Sequence, residues 1–133
     1  MVNNVLFLNR SSRQPVGLDT LKQEAFQVDT VQDSATAMQS LGRREYDVII
    51  LQEAPQAESW QFCREVRRIS TIPLIVISRN ASTESCVRAI NAGADFFLRK
   101  HFSPLELTAR IRALLYRSAL RGGYQSGQPV SAG

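Results

Sequence analysis

Histidine and cysteine, the residues from which most metal centres and disulfide frameworks are built, are nearly absent: one His and two Cys occur in 133 residues. Cys63 and Cys86 fall in helix-like stretches without CxxC spacing. The lone His101 has no second imidazole near it, so no disulfide scaffold, no metal site and no cofactor is expected. A reducing, cytoplasmic setting suits this usage. No apolar run approaches the roughly 18 residues that span a bilayer, and Met1 to Leu8 carry no basic leader ahead of a long apolar stretch. No membrane contact is expected. Lysine is scarce as well, and the net charge of +4 is carried by arginine, with several crowded between Arg110 and Arg121. That balance permits contact with nucleic acid or acidic proteins, although an ordinary solvated helix face is the better explanation. Neither a helix-turn-helix segment nor a basic stripe interleaved with aromatics is present, which argues against direct nucleic-acid binding.

What the chain does contain is apolar sequence in short blocks. At 133 residues and 44% apolar composition it is long enough for one domain with a core and too short for two. Blocks of about four to six apolar residues alternate with helix-period segments, the pattern of βα units wound into a parallel sheet. The blocks are Val5 to Leu8, Phe26 to Val31, Val48 to Leu51, Leu74 to Ile77 and Phe96 to Leu98. The third and fourth are continuous Val/Ile/Leu runs, which predicts burial on both faces. Between them, apolar residues recur at helical spacing: Leu18, Leu21 and Ala25; Met38 and Leu41; Phe62, Val66 and Ile69; Val87, Ile90 and Ala94. The last helix carries its own start signal, with Ser103 as N-cap, Pro104 in the first helical position and Glu106 in the third, followed by Leu107, Ile111, Leu114 and Leu115. The expected fold class is α/β, a doubly wound five-stranded parallel sheet flanked by five helices. It occupies residues 1–120, with 121–133 as a glycine-containing flexible linker or tail.

In such a sheet the functional crevice lies beyond the carboxyl ends of the strands, where the strand order reverses. The residues there are Asn9 and Arg10, Gln52 and Glu53, Ser78 and Arg79, and Arg99, Lys100 and His101. Ser78, Lys100 and His101 lack the ordered base and acid partners of a catalytic triad, so enzymatic activity is not expected.

Tyr46-Asp47-Val48-Ile49-Ile50-Leu51, Ile72 to Ser78, Ala92-Gly93-Ala94-Asp95-Phe96-Phe97-Leu98-Arg99-Lys100, and Phe102-Ser103-Pro104-Leu105-Glu106-Leu107 together resemble the receiver domain of bacterial response regulators. The resemblance covers roughly residues 3 to 118 and is closest to the OmpR/PhoB branch. It implies strand order 2-1-3-4-5. It also implies a pocket in which an acidic pair and an aspartyl acceptor hold Mg²⁺, helped by a Ser/Thr hydroxyl and a lysine. In this chain Asn9 and Arg10 stand for the acidic pair, Gln52 for the acceptor, Ser78 for the hydroxyl and Lys100 for the lysine. An amide and a guanidinium bring no anionic charge to a hard cation, and Gln52 cannot form an acyl phosphate. Loss of aspartyl phosphorylation is therefore expected. His101 replaces the family's proline after the lysine.

Two outcomes for the vacated pocket follow. Arg10 and Lys100 converge on Glu53, the only nearby carboxylate, or Arg10 turns to solvent. Phe97 occupies the position of the family's switch aromatic and is expected to pack constitutively or to join a partner surface. The branch dimerises through its fourth helix, fifth strand and fifth helix, which here makes Arg88, Asp95, Phe96, Arg110, Arg112 and Arg117 the candidate dimer or partner face. The expected function is a phosphorylation-independent receiver that regulates by protein contact. It would form the dimerising N-terminal half of a transcription regulator whose DNA-binding domain lies outside this chain, or else a stand-alone adaptor or localisation module that docks a partner protein.

Overall fold

The continuous apolar blocks do become strands. A computed structural model describes residues 3–55, 57–79, 81–99 and 102–125. Strands β1 (Asn3–Asn9), β2 (Phe26–Val31), β3 (Val48–Gln52), β4 (Leu74–Ile77) and β5 (Phe96–Leu98) form one parallel sheet in the order β2-β1-β3-β4-β5. Every residue of β3 and β4 is buried, as two-sided coverage requires. The covering helices are α1 (Leu18–Gln23), α2 (Ser34–Arg43), α3 (Trp60–Ile69), α4 (Thr83–Ala92) and α5 (Pro104–Gln125).

The sheet separates two cores. On one face Leu21 of α1 and Leu107, Ile111 and Leu114 of α5 meet Val5, Phe7, Val48, Ile50 and Ile75. On the other, Ala37 of α2, Phe62, Cys63 and Val66 of α3 and Ala89 of α4 meet Leu6, Leu8, Ile49, Leu51 and Val76. Burying each large apolar side chain contributes about 1.5–3 kcal/mol relative to leaving it in water.

Local chemistry sets the ends of these elements. Asp33 caps α2 by accepting a hydrogen bond from the Thr36 N–H at 2.8 Å. That bond holds its carboxyl below the usual carboxylate range. Gly17 precedes α1 with φ of 74°, and a Cβ there would lie 3.2 Å from Leu107 Cδ2. Both the left-handed backbone and the close approach of α5 call for glycine.

Two expectations need correction. Val87 and Ile90 are 50% and 40% exposed. The helix is seated instead through buried Ala89 and half-buried Cys86 and Ala92, small residues that let α4 lie close and rotate its larger side chains outward. Ile69, at the last turn of α3, is also exposed. The last helix, α5, continues to Gln125. Extending an existing helix costs little, even through Gly122 and Gly123 at about 1 kcal/mol each. The rest of the expected tail, 126–133, lies outside the described residues.

Candidate functional site

Side-chain alternation along a strand decides which face each strand-end residue serves. Val5, Phe7, Val48 and Ile50 point toward α1 and α5, and Leu6, Leu8, Ile49 and Leu51 toward α2, α3 and α4. Continued past the strand ends, this alternation sends Asn9 and Gln52 to the α1 side and Arg10 and Glu53 to the α3 side. The backbone keeps the register: the Arg10 N–H donates to the Gln52 carbonyl at 2.9 Å and the Glu53 N–H to the Ile77 carbonyl at 2.8 Å. The four residues thus divide into two separate arrangements.

On the α3 side Arg10 and Glu53 form a two-pronged ion pair. Nε donates to Glu53 Oε1 at 3.1 Å and Nη2 donates to Oε2. The Glu53 side chain is 2% exposed and that of Arg10 25%. The carboxylate is further satisfied by the Ala54 N–H at 3.0 Å and the Ser59 hydroxyl at 3.2 Å. The remaining guanidinium nitrogen, Nη1, donates to Ser34 Oγ at 2.6 Å, and the group lies 5.9 Å from the centre of the Phe62 ring. Arg10 therefore ties the end of β1 to the starts of α2 and α3. A buried carboxylate is tolerable only with such pairing.

On the α1 side Gln52 is a latch. Its Oε1 accepts the Val16 N–H at 2.7 Å, while Nε2 donates to Ser11 Oγ at 2.9 Å and the Gln14 carbonyl at 3.0 Å. Asn9 folds the same loop from within: Oδ1 accepts from the N–H and hydroxyl of Ser11, and Nδ2 donates to the Arg13 carbonyl at 2.8 Å. The Gln52 amide thus holds the β1–α1 loop down. Between that loop and the ends of β3 and β4 lies a cavity of about 230 Å³.

The Ser78 N–H pairs with the Leu98 carbonyl at 2.9 Å, but its hydroxyl is buried and bonds to no described residue. Phe97 is half-buried against the α3/α4 core. Lys100 and His101 lie outside the described residues. The donor set does not suit Mg²⁺: the Asn9 and Gln52 amide oxygens are committed to the loop, and Arg10 brings a cation. Among the described residues no group of three or more His, Cys, Asp or Glu could hold a metal. Close by, burial pushes the Cys63 thiol up to about 11, so it is protonated and inert at neutral pH.

The residues of the candidate partner face have the following surroundings. Phe96 is half-buried against the α5 core, with the Arg110 guanidinium 4.8 Å from its ring centre, so its aromatic surface is partly covered. Asp95 accepts from Arg67 at 3.0 Å and from the Leu74 N–H at 2.8 Å, locking β4 to the end of α3. Arg88 pairs with Glu58 and Glu84. Arg112 reaches Glu24 at 2.6 Å and stands over Phe26, on the α1 side of α5. Arg117 is exposed. The residues that sequence reasoning missed are Ser11, Gln14, Val16, Ser34 and Ser59. Only the Asn-x-Ser pattern of Asn9 and Ser11, an Asx turn, offered a signal.

The family description "response regulator receiver domain" matches residues 16–112. An uncharacterized transcriptional regulatory protein of Bacillus subtilis, YclJ, is 33% identical over 100 residues, 74% of this chain and 44% of that protein. The response regulator ArlR of Staphylococcus aureus is 35% identical over 98 residues, 73% of this chain and 45% of that protein. The chain thus spans under half the length of these relatives. Among solved structures, HP1043, an orphan response regulator of H. pylori, superposes with a TM-score of 0.71 at 25% identity, covering 85% of this chain and 96% of that one.

Proposed function

The chain belongs to the response regulator receiver domain family, and on that premise we propose that it is a receiver whose output does not depend on aspartyl phosphorylation. The observation that carries this reading is the Arg10–Glu53 pair beside a latched Gln52. A cation and an amide occupy the positions where the family places carboxylates, and both are built into the surrounding structure. HP1043, of similar structure, is an orphan regulator, and the same standing is proposed here. The domain acts by protein contact, in the cytoplasm and without catalysis of its own. It forms the N-terminal regulatory half of a transcription regulator whose DNA contacts are made by a following domain. Of its longer relatives, YclJ is described as a transcriptional regulatory protein and ArlR as a response regulator.

The dimer reading is carried by α4 and α5. Val87 and Ile90 on α4 and Leu105 on α5 are exposed large apolar residues, a composition that favours association. Sedimentation of wild type against Ile90→Asp tests it: a wild-type dimer lost in the variant supports the reading, and a wild-type monomer at high micromolar concentration refutes it. For the central reading, the protein is incubated with Mg²⁺ and acetyl phosphate and its intact mass measured. No added phosphoryl group is expected, and a hydroxylamine-sensitive phosphoryl adduct would overturn the proposal.

A further inference from the structure

The cavity beneath the β1–α1 loop has features that a merely vestigial pocket would not need. Two of its lining residues are Arg13 and Arg79. Among the described residues neither has an ion-pair partner, whereas seven other contacts pair arginines with acids. The one carboxylate in the lining, Glu53, has its charge met by Arg10 and its oxygens filled by Ala54 and Ser59. The electrostatic balance at the cavity is therefore positive. Its remaining walls include Val16, Pro55 and Ile77, which are apolar. The loop that closes it is held by three hydrogen bonds with Gln52, one accepted and two donated, so the space is preformed.

We propose that this cavity binds a compact organic anion, with an apolar body against Val16, Pro55 and Ile77 and an oxyanion head held by Arg13 and Arg79. A cavity of about 150 Å³ accepts one benzene ring, so about 230 Å³ accommodates a ring and a small anionic group. Guanidinium groups recognise carboxylate and phosphate alike through paired N–H donors. The shared chemistry is thus an oxyanion on a small apolar body, and nucleotide-sized ligands are too large. Because Gln52 latches the loop lining the cavity, occupancy is read directly by the residue at the former acceptor position. The inference rests on the phosphorylation-independent reading, since a phosphorylatable pocket would need this space for metal and phosphoryl group.

The test is an amide-shift titration of the whole chain without Mg²⁺, using benzoate, phenyl phosphate and inorganic phosphate as probes. Saturable shifts at Ser11, Val16, Gln52 and Arg79 are expected with at least one aromatic anion. Half-saturation should fall at about 1–5 mM for ligands of roughly ten non-hydrogen atoms, and inorganic phosphate should bind at least about fivefold more weakly for want of an apolar body. Whether benzoate or phenyl phosphate binds tighter separates a carboxylate from a phosphate ligand. Arg13→Gln with Arg79→Gln should weaken the better probe about tenfold, as expected when charge-assisted bonds are lost, with the remaining spectrum unchanged. Non-saturating shifts with both aromatic anions, or equal affinity in the double variant, would overturn the proposal. A parallel titration with Mg²⁺ and beryllofluoride keeps the two ideas apart: a saturable response there sinks the phosphorylation-independent reading, whereas silence there and with the anions sinks only the ligand site.

Discussion

Replacing Arg10 with Met keeps most of the side-chain length and removes the guanidinium. Glu53, with 2% of its side chain exposed, would keep only the Ala54 N–H and Ser59 hydroxyl as partners. Breaking a fully buried ion pair costs about 3–5 kcal/mol. Because Arg10 is itself 25% exposed, water screens part of that loss, and the expected cost is about 2–3 kcal/mol. Glu53→Gln should cost less, about 1–2 kcal/mol, since the amide oxygen still accepts hydrogen bonds and the guanidinium is left partly solvated. The double variant should be more stable than the sum of the single changes implies, with a coupling of about 1–2 kcal/mol, because neither partner is then left as an isolated charge. Urea denaturation of all four proteins, with linear extrapolation and a check that the m-value is constant, gives these quantities directly. A cost below about 0.5 kcal/mol for Arg10→Met with no coupling would show that the pair is ornamental and would refute the reasoning.

Further outcomes follow from the same structure. Burial raises the Cys63 pKa from 9.0 to about 11. The thiol is protonated in both states below pH 9, and stability is lost as pH rises through the gap by roughly 2–3 kcal/mol. Tyr46, whose pKa is raised by burial and by Asp29, adds to that loss, so the difference between wild type and Cys63→Ala in denaturation from pH 8.5 to 11 isolates the thiol; identical limbs would contradict its burial. Gly93→Ala places a Cβ 2.4 Å from Arg67 Cγ at a φ of 129°, and should cost about 2–3 kcal/mol through backbone strain and displacement of Arg67 from Asp95; an unchanged melting temperature would contradict this. Gln52→Asp alone should not take up a phosphoryl group from acetyl phosphate, because the Arg10 guanidinium still stands beside Glu53 and repels a divalent cation. Asn9→Asp, Arg10→Asp, Gln52→Asp and Glu53→Leu together should gain Mg²⁺ binding by calorimetry, and uptake by the single variant would show that the donor set does not decide phosphoryl transfer.

The strands were legible because β1, β3 and β4 are uninterrupted apolar runs buried on both faces, and a run of that kind has few alternatives. The α5 start was legible from Ser103, Pro104 and Glu106, and Ser103 Oγ does accept the Glu106 N–H at 3.1 Å. The orientation of α4 was not, because Val87 and Ile90 satisfy the same spacing as the face that packs; size decided, and Ala89 allowed the closer approach. Arg112 lies two positions from Arg110, roughly 200° around a helix, so the two point to different sides of α5. At the site, the residue identities ruled out the carboxylates, and strand alternation alone separates Asn9 and Gln52 from Arg10 and Glu53. The Gln52 latch depends on where the backbone of the β1–α1 loop places Val16 N–H and the Gln14 carbonyl, a tertiary fact that no local pattern encodes.

Whether the strand-end pocket takes metal and a phosphoryl group is tested most directly by an amide-shift titration with Mg²⁺ and beryllofluoride. Signals from Arg10, Gln52, Ser78 and Phe97 should stay in place at concentrations that saturate an ordinary receiver. Saturable shifts at those residues, spreading into α4 and α5, would contradict the phosphorylation-independent reading and show that the switch persists on a different set of ligands.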